Sequence, residues 1–450
     1  MKKSIFIWGL LTSVCLSGSA FALDAFRIYD DKPEQICNEV SINGQVDLSV
    51  VMEKAICANP ALKISYLSSL ISGASYGQGL SNYLPDISVN GSLSTSSSKK
   101  DGAENADDNS DLGVNAKLNW LLLDFGGRSA NANRLKLALQ SSYFAYDDKV
   151  QSLLYDVAQK YYAVLSAEEK YEGLMEAEKS FKKAFEEASS RYELGLVPLS
   201  DKLQAQTSYE QAKLSSNVAR KNIALERGNL AKLLNLPPYT LFELKRPEKK
   251  LEKLPPKKKI KELIELALSQ RPDYKASKQD VLASEKQIVI AKSDGLPTLS
   301  GNLNAGANKD IRHSQDGVYS AGAGLTLSVP LFTGFSQSYK ISQAQLQYQA
   351  AQKNLEVLEN DIQNQVWSAV QEYETSLESF KISETLLASA KENERVAFES
   401  YKVGKVNILT LLDAQSSLAS ARVENSTSFY NFLTAQYTLQ KALGKMEKKQ

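Results

Sequence analysis

The side chains that ordinarily run metal, nucleophilic and acid–base chemistry at neutral pH are scarce in this chain of 450 residues: one histidine, His313, and three cysteines, Cys15, Cys37 and Cys57. His313 lies in Lys309-Asp310-Ile311-Arg312-His313-Ser314, which reads as a solvated loop rather than a ligand or a catalytic base. The cysteines are too few for a tetrahedral zinc site without several other ligands. There is no phosphate loop, no paired metal-ligand motif and no nucleophile elbow. The sequence therefore predicts no enzyme, no cofactor and no metal. The chemistry expected of its cysteines is structural.

That expectation follows from the first residues. Lys2 and Lys3 precede an apolar run from Ile5 to Leu16, and Ser17-Gly18-Ser19-Ala20-Phe21-Ala22 follows. A charged start, a short apolar run and an A-x-A site predict a secretory signal, residues 1–22, cleaved after Ala22. The run is too short for a membrane anchor. Export leaves Cys37 and Cys57, which are expected to pair in an oxidising compartment, the alternative being two inert thiols. Removing Lys2 and Lys3 turns 53 Lys+Arg against 52 Asp+Glu into 51 against 52, a net −1. With no basic excess, nucleic acid is not an expected partner.

Longer-range pattern comes next. After a lead-in, residues 23–46, helical spacing runs from near Leu48 to Tyr83 and stops at Leu84-Pro85. Residues 86–94 then alternate Ile87, Val89, Gly91 and Leu93 with polar partners, and residues 112–123 alternate Leu112, Val114, Ala116, Leu118, Trp120 and Leu122 with Gly113, Asn115, Lys117 and Asn119. These are amphipathic strands, and the polar stretch from Thr95 to Ser110 reads as the loop between them. After Asp124-Phe125-Gly126-Gly127-Arg128 the period becomes helical and no proline interrupts it before Tyr192. Such a helix would be about 95 Å long. It turns back at Gly195-Leu196-Val197-Pro198-Leu199-Ser200, where Gly195 can end one helix and Ser200 can cap the next, about Leu199 to Leu234.

The plan then repeats. Asn59-Pro60 and Leu84-Pro85 match Arg271-Pro272 and Leu296-Pro297 at an offset of 212. Tyr192, Gly195, Val197, Ala205 and Gln206 match Tyr401, Gly404, Val406, Ala414 and Gln415 at 209. The expected organisation is repeat 1 at 47–236, a charged connector at 237–261, and repeat 2 at 262–450 with strands at 298–306 and 319–331. Each strand has the length of a tilted membrane strand. Four strands cannot close a barrel and lipid tolerates no open edge, so spanning a bilayer would require several chains to share one barrel. Leu, Val and Ala would then face lipid while Ser, Asn, Gly and Thr line a wet lumen. The alternative is a four-stranded sheet in a soluble protein, whose glycine-rich apolar face would bury little area.

The signal, the duplicated helix–hairpin–helix–helix plan, the turn motifs, and the junctions Leu122-Leu123-Asp124-Phe125-Gly126-Gly127-Arg128 and Val329-Pro330-Leu331-Phe332-Thr333-Gly334 together resemble the TolC-like outer membrane efflux protein family over residues about 47 to 445. The resemblance implies a mostly α fold with transmembrane β: a long α-helical barrel plus a twelve-stranded outer-membrane β-barrel shared by a homotrimer. It implies passive export of small molecules or secreted proteins, with a periplasmic adaptor and an inner-membrane pump or ABC transporter as partners. At the helix turns it implies a gate. Tyr401 matches a linking tyrosine, Asp201 its partner across helix pairs, and Asp413 one of two aspartates ringing the pore. The other ring position is Thr410 and a basic linking position is Val406, so a less acidic constriction with fewer links is expected. A solvated helix carboxylate is the plainer reading of Asp413. Gly195, Leu196, Val197, Pro198, Leu199 and Ser200, with Gly404, Lys405, Val406 and Asn407, are the expected adaptor-docking turns. The competing reading is a soluble periplasmic coiled-coil adaptor or scaffold.

Overall fold

The computed structural model describes residues 44–98, 107–247, 259–311 and 317–446. The signal, Cys37 and His313 lie outside the described residues. In chain order the elements are β1 (Gln45–Val46), α1 (Leu48–Ala58), α2 (Pro60–Ser81), β2 (Asp86–Ser98), β3 (Asp107–Leu123), α3 (Gly127–Glu193), α4 (Leu199–Leu233), β4 (Glu243–Leu244), α5 (Ile260–Gln270), α6 (Pro272–Ser293), β5 (Thr298–Asp310), β6 (Val318–Ser328), α7 (Ser336–Lys402) and α8 (Ile408–Ala442). α3 and α7 are each 67 residues long, and α4 and α8 each 35. The chain divides into two compact units. One holds Leu70–Leu139 and Lys286–Ser342, the other Cys37–Ser69, Gln140–Glu285 and Gln343–Gln450.

The first unit contains an antiparallel sheet in the order β2-β3-β5-β6. Its register stacks Val89, Ala116, Ala305 and Ala321 on one face, beside Ile87, Leu118, Leu303 and Ala323. The other face carries Asn90, Asn115, Gly306 and Ser320, beside Asp86, Asn119, Asn302 and Gly324. The hairpins differ from the sequence expectation. Thr95 to Ser98 pair with Asp107 to Ser110, so both ends of that stretch belong to the strands. Backbone ladder bonds need no apolar side chain, so alternation of hydrophobicity ends before the strand does. β6 stops at Ser328, short of the expected residue 331, because Pro330 has no amide to donate and restricts Val329.

Each strand-to-helix junction uses two consecutive left-handed residues, Phe125 (φ 50°) and Gly126 (φ 96°) before α3, and Gly334 (φ 62°) and Phe335 (φ 64°) before α7. A side chain then caps each helix. The Asp124 carboxylate accepts from the Arg128 amide, and Thr333 Oγ1 accepts from the Gln337 amide at 3.4 Å.

In the second unit the main core joins Val51 and Ala55 of α1, Val157, Tyr161 and Leu165 of α3, Leu230 of α4, Phe380 of α7 and Phe432 of α8. The single helix expected from Leu48 to Tyr83 is broken at Asn59-Pro60, where proline forces Asn59 out of the helical region. The break is used. Asn59 Nδ2 donates to the Leu233 carbonyl at 3.0 Å, and at the matching place Arg271 Nη1 donates to the Ala442 carbonyl at 3.5 Å. Each is the last helical carbonyl of a returning helix, which has no partner inside its own helix. The connector expected at 237–261 is not wholly solvated: Leu244 is buried and β4 pairs in parallel with β1 of the lead-in. Tyr161 fixes that strand pair by donating to the carbonyls of Lys245 (2.5 Å) and Val46 (3.3 Å), and burial pushes its phenol well above the usual range. Cys57 is disulfide-bonded.

Candidate functional site: two helix turns and a polar sheet face

The polar sheet face is built on asparagine against glycine. A Cβ on Gly322 would lie 2.9 Å from Asn304 Oδ1, and one on Gly113 would lie 2.4 Å from Asn308 Oδ1. Amide side chains thus lie across the neighbouring strand's glycines. The result is a hydrogen-bonding wall on which Lys117 is the one basic residue and Asp86, Asp111 and Asp310 are acidic, among the described residues. The opposite face exposes Ile87, Val89, Leu93, Leu303, Leu325 and Leu327 to the surroundings. Aromatic residues gather where the strands meet their helices. Trp120 Nε1 donates to the Tyr83 carbonyl at 2.9 Å, Arg128 lies 5.1 Å from the Tyr83 ring, and Phe332 packs edge-on to Phe335 at 5.6 Å. No helix among the described residues is long and apolar enough to cross a membrane.

The helix turns follow one backbone. α3 ends with Gly195 at φ 70° and α7 with Gly404 at φ 72°, each closing the helix through an amide that reaches back to it. Leu196 N donates to Arg191 O at 2.9 Å, and Lys405 N to Ser400 O at 2.9 Å. The next helices start differently. Asn407 caps α8, accepting from Thr410 N and Thr410 Oγ1, both at 2.9 Å. Ser200, expected as the cap of α4, is inside the helix; the cap position is Pro198, which offers no side-chain acceptor. Proline suits this place because its fixed φ leads into a helix and the amide it lacks is one that the helix would leave unbonded.

Behind the turns lies a small core of Phe181, Ala184, Ala188, Ala205, Tyr401, Ile408, Leu411 and Leu412. Tyr401 is 1% exposed. Its hydroxyl has no hydrogen-bond partner among the described residues, and no bond joins it to Asp201. Burial pushes the Tyr401 phenol up, Arg191 draws it down, and the Asp201 and Glu187 carboxylates push it up again. The residue set against Tyr401 is Arg191, whose guanidinium lies 4.7 Å from the ring centre. Sequence reasoning missed Arg191. Its only signal was a cation just before the Tyr192-to-Gly195 turn. Asp413 and Thr410 are exposed, and Asp201 is half-buried. Of the expected docking residues, Leu196 and Leu199 are exposed while Val406 packs against the core. Ile408, just beyond it, is buried and closes that core.

A duplicated run of very long helices, interrupted in each half by a hairpin that is apolar on one face and polar on the other, defines a membrane channel built from sheet and helix. The sequence model of the family described as outer membrane efflux protein matches residues 51–236 and 263–445, and the chain belongs to that family. It is an outer membrane efflux channel of the TolC-like kind and not an enzyme. Protein CyaE of Bordetella pertussis is 24% identical over 373 residues, which cover 82% of this chain and 78% of CyaE. Outer membrane protein TolC of Escherichia coli is 22% identical over 418 residues, 90% of this chain and 83% of TolC. Among solved structures, the outer membrane protein VceC of Vibrio cholerae superposes with a TM-score of 0.77 at 18% identity, over 88% of this chain and 96% of VceC.

Proposed function

We propose that three copies of this chain form a duct that conducts cargo passively out of a pump complex. The observation that carries this is the sheet. β2 and β6 each pair on one side only among the described residues, and both lie in a sheet with one lipid-suited face and one wet face. In a bilayer each unpaired edge needs a partner, and joining β6 of one copy to β2 of the next in a ring of three gives twelve strands. The Asn-Gly wall then lines the lumen, and the aromatic residues Tyr83, Trp120 and Phe332, at the strand ends, sit at the membrane boundary. The chain brings no chemistry of its own to this passage. Energy comes from an inner-membrane pump or ABC transporter through a periplasmic adaptor, which docks on the turns around Leu196, Leu199 and Lys405. Small molecules and secreted proteins both suit such a duct. Cleavage after Ala22 and a Cys37–Cys57 disulfide complete the mature chain.

The gate is assigned to the turns, with Asp413 and Thr410 facing the pore and Tyr401 and Asp201 holding the helices together. Three Asp413 carboxylates around one opening would favour cations. The mass and heat-modifiability of the particle extracted in mild detergent test the duct: a heat-modifiable species of three chains is expected, and a water-soluble monomer would leave the coiled-coil scaffold reading in its place. Asp413→Asn should lower cation selectivity and Asp201→Ala should raise single-channel conductance in planar bilayers. Unchanged values for both would remove the gate assignment while leaving the duct.

A further inference from the structure

Arg191 stands at the end of α3, and everything around it points across to the end of α7. Glu187, one turn back, holds its Nε at 2.9 Å and so orients the guanidinium. The plane of that group covers the Tyr401 ring at 4.7 Å, and Nη2 donates to the carbonyl of Lys402. Lys402 is the last residue of α7, and its carbonyl is among the four that a helix cannot satisfy internally. The turn itself satisfies the two before it: Ser400 O accepts from Lys405 N at 2.9 Å and Tyr401 O from Gly404 N at 3.0 Å. The third is left to Arg191, which also sets a positive charge at the negative end of a 67-residue helix. Because the Tyr401 hydroxyl is buried and unbonded, Tyr401 is held by its ring face and not by its oxygen.

We infer that Arg191 is a positioning residue, an intrachain latch that clamps the end of α7 to the end of α3 and keeps the turns in their closed arrangement. This rests on reading the turns as the gate. The duplication makes the latch one-sided, since the position matching Arg191 in the second repeat is Ser400. Among the described residues no equivalent cation reaches back from α7 to hold α3. Any movement of the α7 end away from α3 must therefore slide Tyr401 from beneath the guanidinium and break the bond to the Lys402 carbonyl together. The Arg191 side chain is only 16% exposed, so the clamp is screened by salt less than a surface pair would be.

Planar-bilayer recordings on the purified full-length assembly test this. Arg191→Gln keeps a hydrogen-bond donor but loses the charge and the cation–π contact. It should raise single-channel conductance severalfold while the particle keeps its mass and heat resistance. Arg191→Lys, which restores charge without the fork, should return part of the wild-type closure. Arg191→Gln combined with Tyr401→Leu should open the channel no further than the more open single variant, because both remove one contact. Wild-type conductance for Arg191→Gln in intact particles, or fully additive effects in the double variant, would overturn the latch. If Arg191→Gln fails to assemble, Glu187→Gln, which frees the guanidinium without removing it, should raise conductance by a smaller factor, and wild-type closure there would overturn the latch equally. Wild-type protein that forms no channel would instead remove the duct reading, and the latch with it.

Discussion

The two helix turns share a backbone and differ in almost every environment. Gly195 and Gly404 have matching φ angles, and the amides after them bond the same helix carbonyls. Yet Tyr192 is 38% exposed where Tyr401 is 1%, and Leu199 is 48% exposed where Ile408 is 2%. The difference continues along the returning helices. α8 buries fourteen of its residues within the chain and α4 only six, so α4 is left with exposed Leu203, Leu214, Val218 and Leu225 for something outside the chain to cover. Duplication preserved the local geometry, which depends on a few turn residues. Packing is not local, and the second repeat's turn was given the inside place. The polar links follow: Tyr401 lies buried under Arg191 at 4.7 Å and Gln415 Nε2 donates to the Ser180 carbonyl at 3.1 Å, whereas exposed Tyr192 meets only Lys202, of the returning helix, at 5.4 Å, and Gln206 is exposed.

Paired substitutions sharpen the contrast. Ile408→Ala should cost about 2–4 kcal/mol because it opens a hole in the core behind the turns, whereas Leu199→Ala should stay within about 0.5 kcal/mol. Denaturant unfolding of the two variants in detergent checks the pair, and equal losses would break the comparison. The glycines should behave alike instead. A Cβ on either meets no atom within 4 Å, so Gly195→Ala and Gly404→Ala should each cost about 1–2 kcal/mol, from the left-handed backbone alone. Asn407→Ala should lose about 1 kcal/mol of local stability, read by amide exchange in the first turn of α8. The first turn of α4, which Pro198 starts with no cap to lose, serves as the internal reference.

Much of this architecture was legible in the residues. Prolines at 85 and 297 and glycines at 195 and 404 marked where elements end, because proline and glycine act on the backbone of their own neighbourhood, whereas Pro60 and Pro272 were legible only as repeat matches and not as helix breaks. The hairpins were read too short, since Thr95-Ser96-Ser97-Ser98 has no alternation to betray a strand that pairs through its backbone. β1 and β4 escaped notice for a related reason: each is two residues long, and the two are separated by nearly 200 positions. Asp201, Tyr401, Thr410 and Asp413 were singled out at the turns by the family resemblance, and nothing in the spacing of the turn residues separates Tyr192 from Tyr401. Arg191 stayed hidden because its three contacts come from Glu187, Tyr401 and Lys402, two of them more than 200 residues away.

The sequence by itself determined the periods, the breaks and the duplication, and through them a family of channels, because these features are encoded in residues near one another. Only the tertiary structure decided which copy of each motif is buried, which carbonyl finds which side chain, and that the Tyr401 ring lies beneath Arg191. Burial and hydrogen-bond satisfaction are properties of everything that surrounds a residue in space, and two stretches with one pattern acquire different roles when different helices pack against them.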